Sequence, residues 1–209
     1  RKMSMNRATT FSGAGIQIQS NASTSPVTSV INNNLVTTTG NVGVNILTIG
    51  ASSAINSTLL GNIVNGTSTV AYNLSTNGNA SSITSVMRNN AATVNIGNGV
   101  VIRTIGEFSA IDSTITDSSL KGTNGTAIQV QTTNDNASLT SVITGTSIAA
   151  TGGAGVSLVT FGQASEIDAT VKGNTLTGIV ATGIDISNGP GSLLTALVDN
   201  NLVSGSMPT

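Results

Sequence analysis

The sequence predicts an all-β chain wound as a parallel β-helix, and three features predict it. A phrase returns every 28 residues, apolar and polar residues alternate within it, and Asn, Ser or Thr follows it at a constant place. The phrases open at Thr28, Asn56, Thr84, Asp112, Thr140 and Asp168 and read TSVI, NSTL, TSVM, DSTI, TSVI and DATV. A seventh, TALV, opens at Thr195, one residue early. A fixed period of this size marks a solenoid, in which each repeat buries its apolar side against its neighbours. About seven coils stacked at the strand spacing of roughly 4.8 Å make a rod core of roughly 34 Å.

Each coil supplies three strands. In the first, Ile55, Ser57 and Leu59 lie two residues apart, as do Ile111, Ser113 and Ile115, and Leu139, Ser141 and Ile143. Spacing by two puts each set on one face of a strand, an inner face of apolar, small and apolar residues. A second, shorter strand follows a turn, with Leu35 and Val36, Ile63 and Val64, and Thr175 and Leu176 in corresponding places. The third begins at a small residue, as in Gly43-Val44-Asn45-Ile46, Ala71-Tyr72-Asn73-Leu74 and Ala127-Ile128-Gln129-Val130. Its inner face continues to Thr48, Thr76, Thr104, Thr132 and Thr160, a column of threonines expected inside the rod. A leucine-rich repeat has a compatible length, but its LxxLxL phrase and any helical period are missing.

The turn after the first strand carries Asn34, Asn62, Asn90, Ser118, Thr146, Asn174 and Asn201 at equivalent places. Stacked asparagines bond to the turn backbone and to one another, satisfying groups that an inward turn strands. The phrases around them, Asn33-Asn34-Leu35, Gly61-Asn62-Ile63-Val64 and Asn200-Asn201-Leu202, resemble the N-N-x-I phrases of the right-handed parallel β-helix superfamily. That superfamily includes pectate lyases, phage tailspikes and autotransporter passengers. The resemblance implies its fold over nearly the whole chain, and it leaves function open, because the superfamily hosts enzymes and adhesins alike.

Composition narrows the function. Seven Lys or Arg and eight Asp or Glu leave a formal charge of −1, so no basic field is offered to a nucleic acid. Cys and His are both absent, which removes disulfides, thiol catalysis, Cys/His zinc sites and imidazole-dependent triads. No apolar run approaches the roughly 18 residues of a membrane-spanning helix. The start, RKMSMNRATTF, has cations but no apolar stretch after them, and does not read as an intact signal peptide. Residues 1–11 are expected to be an N-terminal tail and residues 12–209 one β-helix domain.

A longer period overlies the first. Phrases at Thr28, Thr84 and Thr140 carry Val at their third place, and those at Asn56, Asp112 and Asp168 carry Thr, a unit of 56 residues. Copying a two-coil unit lengthens a spacer, whereas a catalytic cleft is unique to one place. The best candidates for catalysis are Asp112, Glu166 and Asp168. Asp112 and Asp168 are expected roughly 9.6 Å apart, near the upper end of the carboxylate spacing of inverting glycosidases. The same column also reads Thr and Asn, so plain outward polarity accounts for it. A β-elimination would need a basic neighbour, and Arg103, Lys121 and Lys172 fall at different places in the repeat. Tyr72 aligns with inward Val44, while Phe108 and Phe161 fall at turns after the third strand, where corner packing is expected first and contact with a partner is the alternative.

These readings converge on a non-catalytic structural or adhesive rod of an exported bacterial surface or fibre protein, extracellular or at the cell surface. It would need no cofactor or metal and would have a host or cell-surface ligand as a candidate partner. Neither end shows a capping pattern, so end-to-end self-association is expected as well. The alternative is a polysaccharide lyase or glycoside hydrolase of the pectate-lyase-like type.

Overall fold

The computed structural model describes residues 6–10, 13–21, 26–38, 40–66, 69–122, 124–150 and 152–205. Among them there is no helix, and 22 strands rotate in strict order through three parallel sheets. The first sheet has eight strands, from Asn6–Thr10 and Asn34–Thr38 to Leu202–Val203. The second has seven, from Ile16–Ser20 to Ile184–Asn188, and the third has seven, from Val27–Asn32 to Leu193–Asp199. Every strand pairs with its counterpart one coil away, which makes the chain a parallel β-solenoid of about seven turns.

The register holds the 28-residue period from Asn6↔Asn34 to Thr160↔Asn188. It shortens by one at Glu166↔Leu193 and stays short at Thr175↔Leu202. The missing residue therefore lies in the turn Gly189-Pro190-Gly191-Ser192, which explains the early phrase at Thr195. At the other end, Asn6–Thr10 pair in register with Asn34–Thr38, so the first sheet reaches into the segment the sequence pattern assigns to a tail. That strand repeats the Asn but not the apolar pair of Leu35 and Val36, which hides it from a pattern search.

Side chains alternate as period two requires. Ile55, Leu59, Ile111, Ile115, Leu139 and Ile143 are all buried and join one continuous apolar core along the rod. Burying each such side chain contributes about 1.5–3 kcal/mol. The small residue opening each second-sheet strand has a steric reason. A Cβ on Gly43 would overlap the Val64 side chain and lie 2.6 Å from the Ala71 carbonyl oxygen of the next coil.

Two corners share one backbone device. Between the third and first sheets, Asn33, Gly61, Asn89, Asp117, Gly145, Gly173 and Asn200 take φ between 50° and 64°. Gly, Asn and Asp are the residues that enter this left-handed region most readily. Between the second and third sheets the same device falls on Ser52, Ala80, Phe108, Asn136, Ala164 and Gly191. Ala and Phe have no such tolerance, and each costs about 1–2 kcal/mol there.

Candidate functional site

The left-handed residue of the first corner turns the chain inward and delivers the next residue into the core. That residue is the ladder: Asn62, Asn90, Ser118, Thr146 and Asn174 are all buried, with Asn34 and Asn201 half-buried nearer the ends. The Asn62 amide donates to Ile31 O at 2.7 Å and to Asn90 Oδ1 at 3.0 Å, and the Asn62 backbone N–H donates to the same Oδ1 at 3.0 Å. Asn34 makes the equivalent pair of bonds to Asn62 Oδ1, and Asn174 does so to Asn201 Oδ1, each amide bond 2.9 Å long. Each asparagine side chain thus serves the corner of the coil before it, and its own backbone N–H is taken by the side chain of the coil after. At the two short steps, Ser118 Oγ and Thr146 Oγ1 donate back to Thr116 O and Thr144 O instead. Ser118 Oγ still accepts the Asn90 N–H, and the Thr146 N–H still reaches Asn174 Oδ1.

Tyr72 is wholly buried beside this ladder, as its alignment with Val44 predicts, and its hydroxyl donates to Asn62 O at 3.0 Å and Ala91 O at 3.1 Å. Burial pushes its phenol well above the ordinary tyrosine range.

The second corner carries a polar column that the sequence reading misses. Ser53, Ser81, Ser109 and Ser165 follow the left-handed residue and are buried. Ser81 Oγ donates to Gly50 O at 2.9 Å, and Ser109 Oγ donates to Gly78 O at 2.8 Å. The signal was present as serine recurring at 28 residues, interrupted by Ala137 and diluted by the serines around it. Inside the third sheet, Ser57 Oγ bonds Ser85 Oγ at 2.9 Å and Ser113 Oγ bonds Ser141 Oγ at 3.1 Å.

The carboxylates lie elsewhere. Asp112 and Asp168 flank Thr140 in one outward column of the third sheet, and Glu166 lies two residues before Asp168 on the same face. All three are exposed. Lys172 shares the strand of Glu166 and Asp168 and holds Asp199 at 2.9 Å, while Lys121 and Arg103 belong to the first and second sheets. The other ion pair, Arg88 to Asp117 at 3.3 Å, is also exposed, and such surface pairs contribute about 0–1 kcal/mol. The carboxylates thus share an open, solvent-exposed sheet face. No group of three or more Asp, Glu, His or Cys is placed to share a metal ion among the described residues.

The corner-packing expectation for the phenylalanines is corrected. Phe108 is 63% exposed and Phe161 48% exposed; the corner turns Phe108, its left-handed residue, outward and gives the inward place to Ser109. No helix among the described residues is long and apolar enough to cross a membrane. Compared with protein-family models, curated proteins and solved structures, the chain matches none.

Proposed function

We propose that this chain is a non-catalytic structural or adhesive rod, part of an exported bacterial surface or fibre protein akin to autotransporter passengers within the pectate-lyase-like superfamily. One observation carries the reading: buried polar side chains at both corners are spent on joining coils, while the carboxylates stand exposed on a sheet face whose two cations, Arg88 and Lys172, are each already paired. A lyase or glycosidase needs a general acid and base held around one substrate bond. A rod needs only a core that repeats and a surface that presents polar groups to a host or cell-surface ligand outside the cell.

The test is incubation of the purified protein with acidic and neutral polysaccharides, alongside its Asp168→Ala variant. The expected result is no new reducing ends and no unsaturated uronate from either protein. Product formation by the wild type that Asp168→Ala abolishes would establish the enzyme instead. Electron microscopy of the native material is expected to show rods or filaments outside the cell.

A further inference from the structure

The second corner fixes its glycines sterically and leaves the residue before them free to vary. A Cβ on Gly78 would lie 2.1 Å from Gly50 O, and one on Gly106 would lie 2.2 Å from Gly78 O, so only glycine fits between those coils. The preceding place faces solvent wholly or in part and reads Ile49, Asn77, Ile105, Thr133 and Phe161. At Asn77 the fold therefore sets an asparagine directly before a glycine that it requires.

Such a pair carries its own electrophile and nucleophile. The glycine amide nitrogen closes on the asparagine Cγ to make a five-membered ring, an intramolecular step, and glycine has no Cβ to obstruct it. The chain holds five of these pairs, at Asn65, Asn77, Asn98, Asn124 and Asn188, and the fold treats them differently. Asn98 is clamped at both ends of its amide, Oδ1 accepting the Thr126 N–H at 2.8 Å and Nδ2 donating to Gln129 Oε1 at 2.8 Å. Its Gly99 N–H donates to Thr126 O at 3.3 Å. Asn188 Nδ2 donates to Ser192 O at 3.0 Å, its Oδ1 accepts Ser192 Oγ at 2.8 Å, and the Gly189 N–H donates to Thr160 O at 2.9 Å. Asn65 and Gly66 lie in a strand paired on both sides, to Thr37 and Thr38 and to Thr93 and Val94. Asn124 adjoins residue 123, which lies outside the described residues. Asn77 has none of these restraints. Its side chain is exposed and makes no hydrogen bond among the described residues, and the Gly78 N–H makes none either.

We propose that Asn77 is a site of spontaneous covalent modification in the folded rod, converting to aspartate and isoaspartate without an enzyme. Gly78 N gives its proton to solvent and attacks Asn77 Cγ; the bond from Cγ to Nδ2 breaks, and ammonia leaves with a proton taken from solvent. Water then adds to either carbonyl of the ring imide. Opening at one restores the ordinary main chain with an aspartate, and opening at the other routes the main chain through the side chain as isoaspartate. Each conversion replaces a neutral amide by a carboxylate and takes the formal charge from −1 to −2. Isoaspartate also adds one atom to the main chain where Gly78 O accepts Ser109 Oγ at 2.8 Å, which loosens the serine column joining these coils.

The test is peptide mass spectrometry of the purified chain after incubation in mildly alkaline heavy-oxygen water, once folded and once in urea, so that the label marks product formed during incubation. In urea all the pairs are expected to convert at comparable rates. In the folded chain the Asn77 peptide should go on gaining about one dalton plus the label, while Asn65, Asn98 and Asn188 convert at least about tenfold more slowly than in urea. Asn77→Thr should fold normally and lose the signal at this position, because threonine already fills the equivalent place at Thr133. Asn77→Asp supplies the charge without the extra atom, and the isoaspartate-bearing chain should melt below it. Asn77 protected by folding as strongly as Asn98 would overturn the proposal, and isoaspartate-bearing chains as stable as Asn77→Asp would overturn the loosening of the corner.

Discussion

The column of Asn62, Asn90 and Asn174 and the column of Thr48, Thr76 and Thr104 lie at equal depth, every member at most 1% exposed. Each of those amides donates to a carbonyl of the coil before, and no hydroxyl of the threonine set has a hydrogen-bond partner in the protein. The difference comes from the backbone around them. At the asparagine corner the left-handed turn removes peptide groups from the ladder, and the side chain replaces what they lose. At the threonines the peptides are already paired, Asn77 N to Thr48 O and Ile105 N to Thr76 O, each at 2.8 Å. There the methyl fills space and the hydroxyl is surplus. Further along the same column Thr132 Oγ1 does find Phe161 O at 3.1 Å. Regular recurrence therefore reports position, and the neighbouring peptide groups decide whether a polar side chain holds the coils together.

The comparison is broken most severely by placing a charge where neither column lies. Ile115 is fully buried in an apolar column between Met87 and Ile143, and Ile115→Asp should cost several kcal/mol, because a carboxylate there has no partner. Wild-type thermal stability in that variant would sink the inward assignment. Asn62→Leu is expected to cost about 1–3 kcal/mol in urea unfolding, because Ile31 O and the Asn34 N–H lose their side-chain partner.

A pH series probes the tyrosine beside the amides. The Tyr72 phenol is raised in the folded state, so its contribution is complete below the unfolded value of about 10 and is lost as pH climbs above it. Stability should fall by up to about 1.4 kcal/mol per pH unit there, and Tyr72→Phe should remove that part of the slope. The smallest effect has the opposite sign. Thr76→Val removes a buried hydroxyl without a partner and should raise stability by about 1 kcal/mol.

Much of this architecture is legible in the sequence because a solenoid repeats one physical problem. Period two marks Ile55, Ser57 and Leu59 as one inward face, and the 28-residue step aligns Asn62 with Asn90, with no knowledge of what lies between. The serine column at Ser81 and Ser109 is harder to see, since serine also fills exposed turns and only the left-handed residue before it marks the place. Asp112, Glu166 and Asp168 are legible as outward residues, but what surrounds them comes from neighbouring coils. The exposure of Phe108 depends on corner handedness, which residue type alone does not announce. The strand Asn6–Thr10 is hidden because Arg7 and Ala8 replace the apolar pair found one coil later.

The most direct test of the contrast between the two columns is a pair of double-mutant cycles measured by urea unfolding, one on Asn62 and Asn90 with leucine, the other on Thr48 and Thr76 with valine. The asparagine pair shares a hydrogen bond across one coil and should show a coupling of about 0.5–3 kcal/mol. The threonine pair should be additive to within about 0.5 kcal/mol. Additive asparagines, or threonines coupled as strongly as they are, would contradict the claim that the Asn62–Asn90 pair binds its coils together and the Thr48–Thr76 pair does not.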